Sequence, residues 1–169
     1  MTSAALPYRP CVGIMLLNAA GKVWIGRRPD AANEPEGPGA WWQMPRGGID
    51  DGEDPRPAVL RELSEETGIT SARIIAESKG WFAYDLPAEL RPKAWGGRFG
   101  GQAQKWFLAR FEGPESEIVL LRPDHKQEFD AWRWADLDEL VPLIVPFKRS
   151  VYQQVVDEFR AMVKPAAER

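Results

Sequence analysis

Between Asp54 and Gly68 the chain has few options other than an α-helix. Asp54 is an N-cap type of residue. Pro55 stands at the first helical position, where its missing N–H is not needed, and Gly68 can adopt the left-handed conformation that ends a helix. At about 100° per residue, positions i, i+3 and i+4 share a face, and Glu62, Glu65 and Glu66 occupy them. Leu60 and Leu63 fall on the adjoining face and are expected to turn toward a core. Arg61, four residues before Glu65, is expected beside it. Three like charges stacked this way repel unless cations sit among them. Oxygen donors converging without His or Cys suit Mg²⁺ or Mn²⁺ rather than zinc. The same run also reads as a solvated acidic face carrying an ordinary Arg61–Glu65 pair.

The rest of the chain supplies strands. An apolar run at 11–17, the turn Asn18-Ala19-Ala20-Gly21 and a second run at 22–26 read as a β-hairpin. Residues 29–40, rich in Pro, Gly and acid, read as an exposed loop. Residues 41–48 hold two tryptophans and a Pro-Arg-Gly-Gly turn. Further strands are expected at 72–77, 80–84, 102–111 and 129–134, the last two rich in aromatics. A short helix is expected at 136–140. A longer one is expected from Phe147, with Val151, Val155, Phe159 and Met162 at helical spacing and Pro165 closing it. This order is α+β, mixed strands with two principal helices, in one domain over residues 1–169.

Composition narrows the function classes. The 169 residues carry a net charge of −3, so no global positive field favours duplex DNA or a lipid surface. The single cysteine, Cys11, lies in the apolar run and is expected to be a buried thiol. A cytoplasmic protein is expected, because the N-terminus lacks a basic-then-apolar leader and no 18-residue apolar stretch occurs.

Nine residues, Gly47, Glu53, Arg61, Glu62, Leu63, Glu65, Glu66, Gly68 and Ile69, match the Nudix box (residues 47–69) without a gap or substitution, and the chain resembles that family. The resemblance implies the Nudix fold, an α/β/α sandwich around a mixed β-sheet. It also implies hydrolysis of a nucleoside diphosphate linked to another group, with Glu62, Glu65 and Glu66 as ligands of Mg²⁺ or Mn²⁺. Glu53 and Arg61 would orient the loop and helix, or form a purely structural ion pair.

Residues outside the box are similar to one branch. They include Tyr8-Arg9-Pro10, Trp42-Gln43-Met44-Pro45, Gln102-Ala103-Gln104-Lys105-Trp106-Phe107, Trp132-Arg133-Trp134 and Phe147-Lys148-Arg149. The branch holds bacterial RNA 5′-pyrophosphohydrolases and dinucleoside tetraphosphate hydrolases. By position, Glu128 matches a carboxylate that binds metal or acts as base. Arg28 and Phe147 match residues holding the first base of an RNA end, and Val145 and Lys148 match contacts to the second nucleotide. Arg9, Lys105 and Tyr84 match positions near the polyphosphate. Plainer readings stand beside these: Phe147 as a helix-entry staple, Tyr84 as a strand residue with an exposed hydroxyl, Lys105 as an edge-strand cation. The chain departs from the branch at Arg46, where Gln is common, and in the longer 29–40 loop with its Glu34 and Glu36. Trp95-Gly96-Gly97 resembles the dinucleoside tetraphosphate side.

The expected activity is removal of pyrophosphate or phosphate from the 5′ end of polyphosphorylated RNA, with cleavage of dinucleoside polyphosphates beside it. The alternatives are a diadenosine tetraphosphate hydrolase yielding ATP and AMP, and a non-catalytic nucleotide-binding Nudix domain. Cleansing of oxidised nucleoside triphosphates shares the box, but the 102–107 and 147–149 segments match the other branch.

Overall fold

The strand β1 (Tyr8–Leu17) has its last seven residues buried without alternation, the pattern of a strand covered on both faces. In the computed structural model, which describes residues 6–29, 41–89, 91–92, 94–123 and 127–166, it runs parallel to β7 (Gly101–Phe111), from Tyr8 opposite Gly101 to Leu17 opposite Arg110. The remaining strands pair antiparallel around these two, which makes the sheet mixed. β2 (Val23–Arg27) follows β1 through the hairpin and carries β3 (Trp42–Gln43) and β8 (Ala131–Ala135). β4 (Arg46–Gly48) lies against the start of β1, Cys11 opposite Gly48 and Gly13 opposite Arg46. β5 (Ala72–Glu77) and β6 (Phe82–Asp85) line up along β7.

Each face of the sheet has its own core. On one, α1 (Pro55–Thr67) sets Ala58, Val59 and Leu63 against Val12, Ile14, Leu16 and Phe107. On the other, α2 (Leu140–Leu143) and α3 (Arg149–Phe159) cover Met15, Leu17, Trp106 and Leu108, with Val151, Val155 and Phe159 innermost. This is the expected α/β/α sandwich. Cys11 is buried, and among the described residues no helix is long and apolar enough to cross a membrane.

Several expectations change. Leu60 is 36% exposed, because the buried strip of α1 runs through Ala58, Val59, Leu63, Glu66 and Thr67 and leaves Leu60 beyond its edge. Asp54 precedes the helix in extended conformation as expected, yet its side chain makes no cap hydrogen bond. Met162 is exposed in a 3₁₀ turn after α3 has ended at Phe159. β8 begins at Ala131 rather than at 129. Lys105 lies on β7, which is paired on both sides, so it is no edge-strand cation. The 29–40 loop beyond Pro29, with Glu34 and Glu36, and the side chain of Trp95 lie outside the described residues.

One contact ties α3 to the segment between β3 and β4 within the same core. The buried Met44 N–H donates to the Tyr152 hydroxyl at 2.8 Å, and the Tyr152 ring packs edge-on to Trp106 at 5.7 Å. Tyr152→Phe keeps the ring contact and orphans the Met44 amide. A loss of about 1–3 kcal/mol in urea-denaturation stability is expected; an unchanged midpoint would mean that the amide finds another acceptor.

Candidate active site

The side chains singled out in the box gather where β1, β4 and α1 meet. Adjacent glycines make the approach possible. A Cβ on Gly47 would stand 2.1 Å from the Glu62 carboxyl, and one on Gly48 would stand 2.3 Å from an Arg9 guanidinium nitrogen. Because neighbouring strand residues face opposite sides, Glu62 closes on β4 from the α1 side while Arg9 closes from the other.

Arg61 joins the helix to the loop before it. Its Nε and Nη2 donate to the two oxygens of Glu53, each at 2.9 Å, and Nη2 also reaches the Gly48 carbonyl at 3.0 Å. Its Nη1 donates to Glu62 at 3.0 Å and to Glu65 at 3.1 Å. Glu53 in turn accepts the Asp50 N–H at 3.0 Å. Held by Arg61 first and the Asp50 amide second, the Glu53 carboxyl is lowered to about 2. The expected Arg61–Glu65 pair is present, as one branch of this wider network.

The carboxylates divide. Glu65 is 43% exposed and leans on Arg61. Glu66 is buried, and one of its oxygens accepts the Arg46 backbone N–H at 3.2 Å. Burial, then repulsion from Glu128 and Glu62, pushes the Glu66 carboxyl well above its ordinary range. Burial also raises Glu62. Glu128 is brought in from the segment before β8 by its neighbour Phe129, which is fully buried against Trp24 at 5.3 Å and lies over Gly26.

Glu62, Glu66 and Glu128 line a cavity of about 330 Å³, facing Arg9, Arg28 and Arg46, with Gln43, Gly47 and Gly48 completing the wall. Three carboxylates and three guanidiniums thus line one cleft, a mixture of charges with the chemistry to hold an anionic chain and a cation side by side. Among the described residues, no group of three His, Cys, Asp or Glu side chains is close enough to hold a metal ion as it stands. The all-oxygen donor set and the raised carboxyls of Glu62 and Glu66 nonetheless fit a hard divalent cation, whose charge would relieve the repulsion that burial sharpens.

A second group lies beside the cavity. The Tyr84 and Phe147 rings are 5.7 Å apart, and the Lys148 ammonium stands over both, at 5.8 and 5.6 Å. Tyr84 is buried, so the exposed-hydroxyl reading fails; burial pushes its phenol up to about 12. Val145 is buried and its carbonyl accepts the Lys148 N–H at 3.0 Å, closing the turn that holds Phe147. Lys105 is placed elsewhere, donating to the Ser78 carbonyl at 2.5 Å.

Two supporting residues were not among the candidate site residues read from the sequence, although Gln43 lies in a segment that carries the resemblance. Gln43 lines the cavity from a two-residue strand. Arg122 donates to the Ser64 carbonyl at 2.6 Å and to the Glu65 carbonyl, capping the last turn of α1 from a segment without regular structure. Such long-range caps leave no local pattern.

The sequence model of the NUDIX domain family matches residues 7–155, and the chain belongs to the Nudix family. It is 56% identical over 162 residues to a protein of Novosphingobium aromaticivorans called an RNA pyrophosphohydrolase, covering 95% of this chain and 97% of that one. An RNA pyrophosphohydrolase of Rhodospirillum rubrum is 54% identical, with 98% and 94% covered. Among solved structures, the E. coli dihydroneopterin triphosphate pyrophosphohydrolase superposes with a TM-score of 0.64 at 20% identity, over 90% of this chain and 99% of that one. A C. elegans Ap4A hydrolase gives 0.61 at 17%, over 90% and 98%. Likeness at that identity bears on the fold alone.

Two of the perturbed carboxylates, Glu53 and Glu66, act on stability in opposite directions. Glu53, lowered to about 2, contributes fully above its ordinary value of 4.5 and is lost as pH falls toward 2. Glu66, raised by burial, binds its proton more tightly when folded, so metal-free stability falls as pH climbs from the unfolded value through the folded one. Glu66→Gln keeps an acceptor for the Arg46 amide and removes the charge. It is expected to raise the melting temperature in chelator at pH 7 by a few degrees, with the gain vanishing in acid. A lower melting temperature at pH 7 would contradict this.

Proposed function

We propose that the chain, acting as a single Nudix domain over residues 1–169 in the cytoplasm, hydrolyses the polyphosphate at the 5′ end of RNA with Mg²⁺ or Mn²⁺, and accepts dinucleoside polyphosphates beside it. The observation that carries this is the cleft in which Glu62, Glu66 and Glu128 face Arg9 and Arg28. Relatives that are RNA pyrophosphohydrolases, 54–56% identical over nearly the whole chain, support the RNA end as the main substrate.

In this reading Glu62, Glu65, Glu66 and Glu128 hold the cation, Glu65 turning inward from Arg61. When bound, the cation supplies charge neutralisation at the phosphoryl oxygens and an acidified water. Arg9 and Arg28 take up negative charge along the phosphate chain, with Tyr84 as a further contact and Lys105 as another once it leaves the Ser78 carbonyl. Arg61 and Glu53 keep α1 and its loop in place. Phe147 stacks on the first base, and Val145 and Lys148 meet the second nucleotide. The Trp95-Gly96-Gly97 segment favours dinucleoside polyphosphates as the second substrate.

Turnover of a 5′-triphosphorylated RNA and of diadenosine tetraphosphate, compared at matched concentrations with products identified, tests the reading. RNA ends should be processed, and chelator or Glu66→Gln should remove activity by several orders. Fast diadenosine tetraphosphate cleavage with no phosphate or pyrophosphate released from RNA would select the second substrate. Phe147→Ala should weaken binding of RNA ends about tenfold to a hundredfold. Equal affinity of variant and wild type, measured by titration calorimetry, would remove Phe147 from the base site.

A further inference from the structure

Among the described residues, Arg46 is a cation without an ion-pair partner. Its backbone N–H is committed to Glu66, but its side chain behaves differently from the other arginines around it. Arg61 is bound to Glu53, Glu62, Glu65 and Gly48; Arg27 pairs with Asp130 at 2.8 Å. The Nε of Arg46 is buried with no hydrogen-bond partner, and among the described residues its guanidinium forms no ion pair. A buried N–H without an acceptor is destabilising unless a ligand supplies one.

Its position says which ligand. Arg46 lines the cavity, with Glu66 and Glu128 within electrostatic reach and Tyr84 within reach as well. Tyr84 is the ring partner of Phe147. If the carboxylates hold the cation and Phe147 holds the base, a nucleotide polyphosphate has to pass Arg46 on its way between them. A guanidinium is the group best shaped to take two oxygens of one phosphoryl group.

We propose that Arg46 is a specificity-determining residue that binds a phosphoryl group of the substrate between the carboxylate cluster and the Tyr84–Phe147 rings, making affinity depend on 5′ phosphorylation. This rests on the function proposed above. The competing reading is a counter-charge that only offsets Glu66 and Glu128. A counter-charge has no reason to distinguish a phosphorylated ligand from an unphosphorylated one.

The test is a binding ladder, read by titration calorimetry without turnover. The probes are one dinucleotide with a 5′ hydroxyl, monophosphate or methylene-bridged triphosphate, and a methylene-bridged diadenosine tetraphosphate, each with Mg²⁺. Arg46→Gln is expected to weaken the triphosphate and tetraphosphate probes roughly tenfold to a hundredfold while changing the 5′-hydroxyl dinucleotide little. Arg46→Lys, which keeps the charge but not the fork, should fall between. Thermal melting and circular dichroism check that Arg46→Gln and Arg46→Lys remain folded at the temperature of the titration. Equal losses across the ladder would overturn the assignment. So would unchanged nucleotide affinity with tighter Mn²⁺ binding in the absence of nucleotide, or failure of the wild type to bind any phosphorylated probe. If the wild type binds these probes yet leaves triphosphorylated RNA uncleaved, the function proposed above fails while the ladder still decides Arg46.

Discussion

The Arg61 guanidinium joins three parts of the site that nothing local would hold in register. It binds Glu53 on the loop, the Gly48 carbonyl on β4, and Glu62 and Glu65 on its own helix. A flexible ammonium could not span these partners, whereas a planar fork with five donors can. Its reach also decides how charge is left over. Glu53, Glu62 and Glu65 share the positive charge, while Glu66 and Glu128 face each other outside it. The electrostatic demand for a cation is therefore concentrated at the inner end of the cleft.

Packing on both faces of the sheet supports that arrangement. α1 is pressed on β1 and β7 through Ala58, Val59 and Leu63, which brings Glu62 down onto Gly47. On the same face Phe129, lodged over Gly26 and edge-on to Trp24, fixes the residue before it, Glu128. On the opposite face Tyr152 holds the Met44 amide two residues before Arg46. The site is thus assembled from both cores, and the short β4 is where they meet.

What the sequence revealed depended on range. The α1 boundaries were legible because Pro55 and Gly68 are local signals, and β5 at Ala72–Glu77 was legible from composition. The facing carboxylates were legible from helical periodicity, but their division into a buried Glu66 and an exposed Glu65 was not, since periodicity does not say which flank of a stripe meets the sheet. Leu60 was misplaced for the same reason. Glu128 could be assigned only through resemblance: its approach depends on the seating of Phe129, a tertiary contact. The parallel pairing of β1 with β7, the Tyr152–Met44 bond and the Arg122 cap join residues far apart in the chain, and no short-range pattern encodes them.

The two glycines of β4 also bear on how such a site can change. A side chain at 47 would displace the Glu62 carboxyl, and one at 48 would displace the Arg9 guanidinium, so a change at either position moves a group that lines the cleft. Among the described residues, the hydrogen bond that ties position 46 to α1 comes from its main chain, through the N–H that Glu66 accepts. Every residue except proline offers that N–H. The strand therefore presents one replaceable side chain next to two positions kept bare, and a new ligand preference can arise there by a single replacement that leaves the surrounding framework intact.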